Sequence, residues 1–390
     1  MNAAADEKPL LAAEDVPVRY VECPDGGAVR ERSAFVRALK RLNKARLNAG
    51  RRWKAKSAKR VAMNETAVSN GRVLVVEAFR GLGDSFYVHG LLRALVEHGK
   101  RVTLVTHPDT MRFYEASPYV ESVHSIQDGA ESFIGESYEA AIDLNNVALQ
   151  YWKSRREIFA RVRSARRLSC SVYTRGTALF NEYVPFAEQT HMSQRLGACL
   201  TAILKCAEPL RVAPFFPARV RTNPTIPRIY VNTVGSESDR CWSAEQVRAI
   251  CRIFEADPRF DVWIYSPHAV PESRTVHRAA TRSFEDAAQL AASSQAIISP
   301  DTSMVHLGSA FRLPVLAFYA GNEKDYFGYP IHRVFAPLSQ GSQMIALTSG
   351  TASAGVIPLS AMEPDVLAGI VREFLLSTFS QNMQSRSEPV

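Results

Sequence analysis

The sequence predicts an α/β protein with two doubly wound, parallel-sheet domains, and three observations support this fold class. Short, almost wholly apolar runs, as expected for strands covered on both faces, alternate with helical segments. The alternation occurs in two series, separated by residues 208–228, which contain five prolines and no hydrophobic period. Glycine or small polar residues follow strands in both series. Because such folds bind ligands at the carboxyl ends of their strands, we expect the two domains to face each other across a cleft.

The first series defines an N-terminal domain over residues 71–212. Its predicted strands are 72–78, 101–106, 120–126 and 139–144, and its predicted helices are 86–99, 109–116 and 192–206. The second series defines a domain over 226–362, with strands at 229–233, 260–265, 296–299 and 313–320 and helices at 244–255, 272–280 and from 283. An amphipathic helix at 363–379 is predicted to pack back on the N-terminal domain.

Residues 1–70 are predicted to form a basic extension, partly disordered and partly helical. Residues 1–27 have no sustained period and indicate a loose arm, whereas residues 30–60 contain thirteen Lys or Arg against one acidic residue, Glu31. We interpret 30–60 as a basic helix that contacts anionic lipid headgroups, and a solvated helix packed on the body is the alternative. Nucleic-acid binding is disfavoured, because no recognised nucleic-acid-binding module accompanies the charge.

Composition narrows the class of protein. The chain has 390 residues and a formal net charge of +8, which favours an anionic partner. Its six cysteines form no C-x-x-C pair, so neither a zinc site nor a disulfide framework is predicted. A signal-peptide pattern and a membrane-spanning apolar run of about 18 residues are both missing from the sequence, which predicts a cytoplasmic protein, soluble or peripheral at a membrane.

A second basic segment spans residues 153–175 and is rich in arginine. Arginine forks suit carboxylate and phosphate groups, so the segment is a candidate acceptor-binding patch, with Arg155, Arg156 and Arg163 as its predicted contacts. The alternative interpretation is a solvated helix face.

Two strand-to-helix turns carry candidate site residues. Gly81-Leu82-Gly83-Asp84 follows the first strand and places a carboxylate at the start of a helix, where Asp84 could also serve only as a helix cap. Pro300 ends the predicted strand 296–299, and Asp301-Thr302-Ser303 then opens a helix that contains His306. The backbone N–H groups of such a turn bind phosphates, although Asp301 could be only a cap and His306 only a core histidine.

Three separated stretches resemble one family, the glycosyltransferase family nine heptosyltransferases. The G-L-G-D stretch is similar to the family's G-D-x-x-x-x-x-P-A-L-x-x-L motif, and Arg240-Cys241-Trp242-Ser243 resembles its K-x-W-P motif. Asp301 to His306 is similar to D-x-G-x-x-H. The likeness covers roughly residues 71–335, and the motifs keep the order and spacing that they have in the family. This makes the likeness more specific than any single motif.

The resemblance implies the GT-B fold, with two Rossmann-like domains, and an inverting transfer of heptose from ADP-heptose to lipopolysaccharide core or a similar anionic acceptor. It implies no cofactor and no metal, and the sequence contains no D-x-D pair that would bind one. By position, Asp84 would be the base that deprotonates the acceptor hydroxyl, and Arg240 would neutralise the donor diphosphate. The remaining donor-binding residues implied in this way are Asp301, Thr302, Ser303 and His306, with Glu272 at the ribose.

The sequence departs from the family pattern at three positions. Arg240 replaces a lysine, Ser303 stands where the family has glycine, and Gly90 occupies the position of a proline. We therefore expect a GT-B glycosyltransferase, with a nucleotide-sugar donor and an anionic glycolipid acceptor, at the cytoplasmic side of a bacterial inner membrane. The alternatives are a GT-B transferase that uses another nucleotide sugar and a non-catalytic protein that binds nucleotide sugars or associates with membranes.

Overall fold

A computed structural model of the chain describes residues 10–23, 70–79, 81–145, 151–171, 178–217, 225–325, 327–349 and 355–384. The chain divides into two compact units. The N-terminal unit is Arg32–Phe215, and the C-terminal unit combines Met1–Glu31 with Phe216–Val390. The basic stretch at 30–60 lies outside the described residues. No helix in the described part of the chain is long and apolar enough to cross a membrane.

A strand that the sequence did not predict comes first: β1, Val18–Cys23. It pairs in parallel with residues 344–349 near the end of the C-terminal unit. The expectation of a loose arm is therefore wrong for these residues. Only Cys23 of this strand is buried, so the local pattern is too weak to indicate a strand, and the long-range pairing determines it.

The N-terminal unit is built on a parallel sheet flanked by helices. Its strands are β2 Arg72–Val76, β3 Arg101–Thr106, β4 Ser122–Ser125, β5 Ala140–Asp143, β6 Arg166–Ser169 and β7 Glu182–Tyr183. Its helices are α1 Leu82–Glu97, α2 Pro108–Glu115, α3 Trp152–Arg161 and α4 Met192–Leu204. Among the described residues the strand order is β4-β3-β2-β5-β6-β7. This is the order of the Rossmann fold, which reverses between the first and fourth strands, here β2 and β5.

The C-terminal unit repeats this plan. Its strands are β8 Arg228–Asn232, β9 Asp261–Tyr265, β10 Val276–Arg278, β11 Ala296–Pro300, β12 Val315–Tyr319 and β13 Gln343–Ser349. Its helices are α5 Ala244–Glu255, α6 Phe284–Ala292, α7 Ser303–Ala310, α8 Ile331–Val334 and α9 Pro364–Gln384. The described strands have the order β10-β9-β8-β11-β12-β13-β1, so the Rossmann order recurs, with β8 and β11 at the reversal and β1 added at one edge.

These two sheets confirm the predicted α/β fold with doubly wound parallel sheets, and they correct two elements. Residues 276–278, within the predicted helix 272–280, form the strand β10, which pairs with β9. The predicted C-terminal helix exists as α9, but Leu367, Ile370 and Phe374 lie in the core of the C-terminal unit together with residues of α5. These contacts lie within the C-terminal unit, so they do not support the expectation that the helix packs on the N-terminal domain.

The first part of the predicted linker packs against the N-terminal unit. The Val212 N–H donates to the Ser193 carbonyl at 3.2 Å, and the Phe215 N–H donates to the Phe86 carbonyl at 2.9 Å. A Cβ on Gly90 would lie 1.8 Å from the Ala213 carbonyl oxygen, so only glycine lets α1 approach this segment so closely. This contact gives a physical reason for the glycine at a position where the resembling family has proline.

Candidate active site

Asp84 lies in the first turn of α1, just after the carboxyl end of β2. The N-cap position of this helix is Gly81, so Asp84 is not the N-cap residue, although its charge would be stabilised by the helix N-terminus. The side chain is half-buried. Burial raises the pKa of Asp84 to about 6, against the opposing charge of Arg195. A carboxylate with this pKa can accept a proton near neutral pH.

Glu77 is a second carboxyl group at this edge, and no motif in the sequence indicated that it belongs to the site. It is completely buried at the end of β2. The Phe79 N–H donates to its Oε2 at 2.7 Å, and its Oε1 is hydrogen-bonded to the Thr106 hydroxyl. A glutamate directly after an apolar strand is the one sequence feature that could have indicated it.

The hydrogen-bond partners of Glu77 form a short buried chain. The Thr106 hydroxyl donates to Glu77 Oε1 and lies 2.9 Å from the Thr110 hydroxyl, which donates to the His107 carbonyl at 3.0 Å. Burial and the nearby Asp84 charge raise the pKa of Glu77 to about 8, although its hydrogen bonds to Thr106 and Phe79 oppose this. A pKa in this range favours the protonated carboxyl group near neutral pH.

Other groups around these carboxyls also favour their uncharged forms. The His89 ring lies 4.7 Å from the Tyr114 ring, between centroids. Burial lowers the pKa of His89 to about 4, and burial also raises the pKa of Tyr114, with contributions from the charges of Glu77 and Asp84. This edge therefore disfavours charge, which makes Asp84 a stronger base than an exposed aspartate.

Arg155, predicted to bind the acceptor, instead holds the end of β5. The side chains of Arg155 and Asp143 are both 0% exposed, and Arg155 donates to Asp143 Oδ2 from Nε at 3.1 Å and from Nη2 at 2.6 Å. Asp143 Oδ1 accepts from Asn145 Nδ2 at 2.7 Å, and Asn145 Oδ1 in turn accepts from the Ala78 N–H at 2.8 Å. The acceptor-binding prediction is wrong for Arg155, which supports the turn that leads to Asp84.

The other arginines of the basic segment divide by position. Arg156 is exposed on α3, so its predicted acceptor contact stays a prediction. Arg163 is exposed, but its backbone pairs with Ser137, ahead of β5 and at the opposite edge of the sheet from Asp84, which corrects its assignment to the acceptor site. Arg166 donates to Glu182 and to the last carbonyls of α4, a structural role.

In the C-terminal unit, a polar network joins the ends of β8 and β11. Asn232 Nδ2 donates to Ser299 Oγ at 3.1 Å and to Thr302 Oγ1 at 3.2 Å. Thr302 is the N-cap of α7, and its hydroxyl accepts from the Met304 N–H at 3.2 Å. The cap is therefore Thr302, so the alternative that Asp301 serves only as this cap is wrong.

Arg240 and Asp301 meet at this edge, together with a residue that the sequence analysis did not identify. Arg240 Nη1 lies 3.2 Å from Asp301 Oδ2, while Nε donates to Glu323 Oε2 at 3.2 Å and Nη2 donates to Glu323 Oε1. Burial disfavours the charged guanidinium, but the two carboxylates outweigh this and raise the pKa of Arg240. Gly235 lets the loop fold against Arg240, since a Cβ there would lie 2.4 Å from the Arg240 Cβ. The side chain is 20% exposed, so solvent reaches the cation.

The remaining predicted donor contacts lie at different depths. Ser303 is the first residue of α7, and His306 is buried in the same helix with its ring 5.3 Å from that of Phe335. Glu272 is exposed in the loop before β10, where the Arg278 N–H donates to it at 3.4 Å. Because β10 lies two strands beyond β8, these two strands are separated by roughly 10 Å across the sheet. Within the described residues, no group of three or more His, Cys, Asp or Glu side chains is arranged to hold a metal ion.

Each unit has a parallel sheet in Rossmann order, with polar residues at its switch point. Two such units are the domain plan of the GT-B class of folds. Comparison with solved structures agrees. E. coli heptosyltransferase WaaC with ADP matches with a TM-score of 0.57 and 16% identity, over 77% of this chain and 97% of WaaC. A family 9 glycosyl transferase from Veillonella parvula matches at 0.58 and 12% identity, over 78% and 97%.

A third similar structure is E. coli ADP-heptose lipopolysaccharide heptosyltransferase II, with a TM-score of 0.56 and 14% identity, over 78% of this chain and 99% of that one. No protein-family model and no curated protein matches the sequence. At these identities the likeness shows the fold, and the GT-B expectation is confirmed at that level.

Proposed function

We propose that this protein is an inverting glycosyltransferase that transfers heptose from ADP-heptose to a lipopolysaccharide-core or similar anionic glycan acceptor, without a metal. The observation that carries the proposal is Asp84, a half-buried carboxylate with its pKa raised to about 6 at the switch point of the first sheet. Structures of similar fold were solved with ADP and with ADP-2-deoxy-2-fluoro heptose, which supports a nucleotide-sugar donor.

In the proposed reaction, Asp84 takes the proton of the acceptor hydroxyl as that oxygen attacks the anomeric carbon. The new carbon–oxygen bond forms while the bond from the anomeric carbon to the diphosphate breaks, and ADP leaves with the electron pair. Attack from the face opposite the leaving group inverts the anomeric centre. A positioned base contributes roughly 10²- to 10⁴-fold to such a step.

The C-terminal unit would bind the donor. Arg240 would offset the charge that develops on the diphosphate, and the N-terminus of α7, with Thr302 and Ser303, would supply backbone N–H groups and the favourable end of the helix dipole. Asp301 and His306 would contact sugar and phosphate, and Glu272 would contact the ribose. Positive charge from Arg240 and from the N-terminus of α7 would take the part that magnesium plays in metal-dependent transferases.

The proposals for the acceptor and for the location rest on positively charged residues in two parts of the chain. Arg156 is exposed on α3 and suits an anionic acceptor. Residues 30–60, with their excess of Lys and Arg, would add contact with an anionic membrane surface. We therefore propose a cytoplasmic protein that is peripheral at the inner membrane.

One observation favours a second candidate function, a non-catalytic nucleotide-sugar-binding protein. All three nitrogens of the Arg240 guanidinium already face carboxylate oxygens. Together with Ser303 in place of the family's glycine, this arrangement would allow a donor to bind without efficient turnover. A GT-B transferase that uses another nucleotide sugar has the same site chemistry and is separated from the main proposal only by the donor that it accepts.

Single-turnover transfer assays with a panel of nucleotide sugars test the proposal. We expect ADP-heptose to raise the melting temperature of the wild type, and Asp84→Asn to bind it equally well but to transfer about 10²- to 10⁴-fold more slowly. Asp109→Asn is the matched control, since Asp109 also lies in the first turn of a helix but its side chain is 71% exposed.

The outcomes separate the candidates. Binding of ADP-heptose without transfer by the wild type would favour the non-catalytic protein. Stabilisation and transfer with a different nucleotide sugar would identify the other donor. Equal transfer rates for wild type and Asp84→Asn would contradict the role of Asp84 as base.

A further inference from the structure

We infer that Glu323 competes with the donor's diphosphate for Arg240, so that this glutamate sets the affinity and selectivity of the donor site. The inference rests on the proposed donor role of Arg240. Glu323 belongs to the segment after β12 and lies outside the motifs that suggested the function. Its role follows from the contacts of its side chain.

The Arg240 guanidinium binds Glu323 through two of its nitrogens. Nε and Nη2 of Arg240 form a planar fork, and each donates to one oxygen of the Glu323 carboxylate. The same side-on fork is the arrangement by which arginine binds two oxygens of a phosphate. Glu323 therefore occupies the face of Arg240 that a diphosphate would use.

The carboxylates around Arg240 outnumber its positive charge. Arg240 contributes one positive charge, while Asp301 and Glu323 contribute two carboxylates in contact with it. A diphosphate that approached this group unchanged would meet net negative charge at short range, which is unfavourable in a partly buried site. Binding through the fork therefore requires the Glu323 side chain to leave Arg240.

The Glu323 side chain is partly exposed, whereas its backbone is held by hydrogen bonds. Its backbone is fixed on both sides, because Gly321 exchanges two hydrogen bonds with Ile357, and the Ile331 N–H donates to the Glu323 carbonyl at 3.1 Å. Its side chain is 21% exposed, whereas that of Asp301 is 4% exposed. Rotation of the Glu323 side chain into solvent thus frees the fork, while Asp301 continues to orient the arginine.

Isothermal titration calorimetry with ADP and with adenosine tests this inference. Glu323→Gln removes the competing charge and keeps the side-chain shape, so we expect ADP to bind about tenfold more tightly, equivalent to about 1.4 kcal/mol. The affinity for adenosine, which has no phosphate, should not change. Glu373→Gln is the matched control, because Glu373 also pairs with an arginine, Arg19, but at an exposed site of the same unit.

Arg240→Gln separates failure of the inference from failure of the proposed function. If Arg240→Gln weakens ADP binding and Glu323→Gln weakens it as well, the donor site stands and Glu323 instead orients Arg240, which overturns the inference. Unchanged ADP affinity in Glu323→Gln also overturns it. If Arg240→Gln binds ADP like the wild type, the donor role of Arg240 is itself wrong.

Discussion

The two sheets place the same pair of residue types at their switch points, and the pairs differ in burial. In the N-terminal unit Arg155 and Asp143 are both 0% exposed. In the C-terminal unit Asp301 is 4% exposed, but Arg240 is 20% exposed and contacts a second carboxylate, Glu323. The first arginine is enclosed in protein and supports the structure, whereas the second is partly open to solvent.

The additional glutamates differ in the same way. Glu77 is completely buried and accepts from the Thr106 hydroxyl and the Phe79 N–H, while Glu323 lies against a partly exposed cation. Burial at the first edge raises the pKa of both Glu77 and Asp84. At the second edge the two carboxylates raise the pKa of Arg240, which stays charged. The same sheet order thus contains two different electrostatic environments, and burial decides which one forms.

The largest effect should come from breaking the enclosed pair. Arg155→Met leaves the Asp143 carboxylate buried without its cation, so we expect the free energy of unfolding to fall by about 3 to 5 kcal/mol. Arg240→Met leaves the buried Asp301 and the partly exposed Glu323 without their cation at a site that solvent reaches, so we expect a smaller loss than for Arg155→Met. Urea unfolding of both variants measures the difference, and equal losses would contradict this contrast between the two edges.

A pH-dependent effect that reaches a comparable size only near pH 8 should come from Glu77→Gln. The pKa of Glu77 is about 8 in the folded protein, against the ordinary value of 4.5. Between these values the folded state retains a proton that the unfolded state has lost. Wild-type stability therefore falls as the pH rises through this window, by about 1.4 kcal/mol per pH unit, and the loss ends above about pH 8.

Glutamine is uncharged at every pH and keeps the shape of the side chain, and its amide oxygen can still accept from the Phe79 N–H. We expect Glu77→Gln to gain stability over the wild type progressively from about pH 5 to about pH 8, as measured by urea unfolding across that range. The gain should persist in an Asp84→Asn background, since it arises from the Glu77 proton. A difference that does not change with pH would show that Glu77 is ionised in the folded protein.

The smallest effect should come from the start of α7, where the C-terminal edge has a side-chain cap. Thr302→Ala removes the hydroxyl that accepts from the Met304 N–H, and we expect a loss of about 1 kcal/mol in unfolding free energy. Ser303→Ala, one residue further into the helix, is the matched control and should change stability by less than about 0.5 kcal/mol. If both variants lose the same amount, the cap is not Thr302.

Much of the fold was predictable, because apolar runs and the turn residues after them are local features. The strands β2, β3, β8 and β11 and the turns that hold Asp84 and Asp301 follow from such patterns. β1 and β10 did not, since each has little buried apolar surface and depends on a neighbouring strand. The contact between Arg240 and Asp301 was partly foreseen, because both were assigned to one donor site.

By itself, the amino-acid sequence determined the alternation of strands and helices and the chemical types at each strand end, because period and turn chemistry act over a few residues. Only the tertiary structure decided which arginine is enclosed and which is accessible, that Glu77 is buried and accepts from Thr106, and that Glu323 reaches Arg240. These properties depend on burial and on side chains far apart in the chain. Desolvation and ion pairing act through space, so no local pattern contains them.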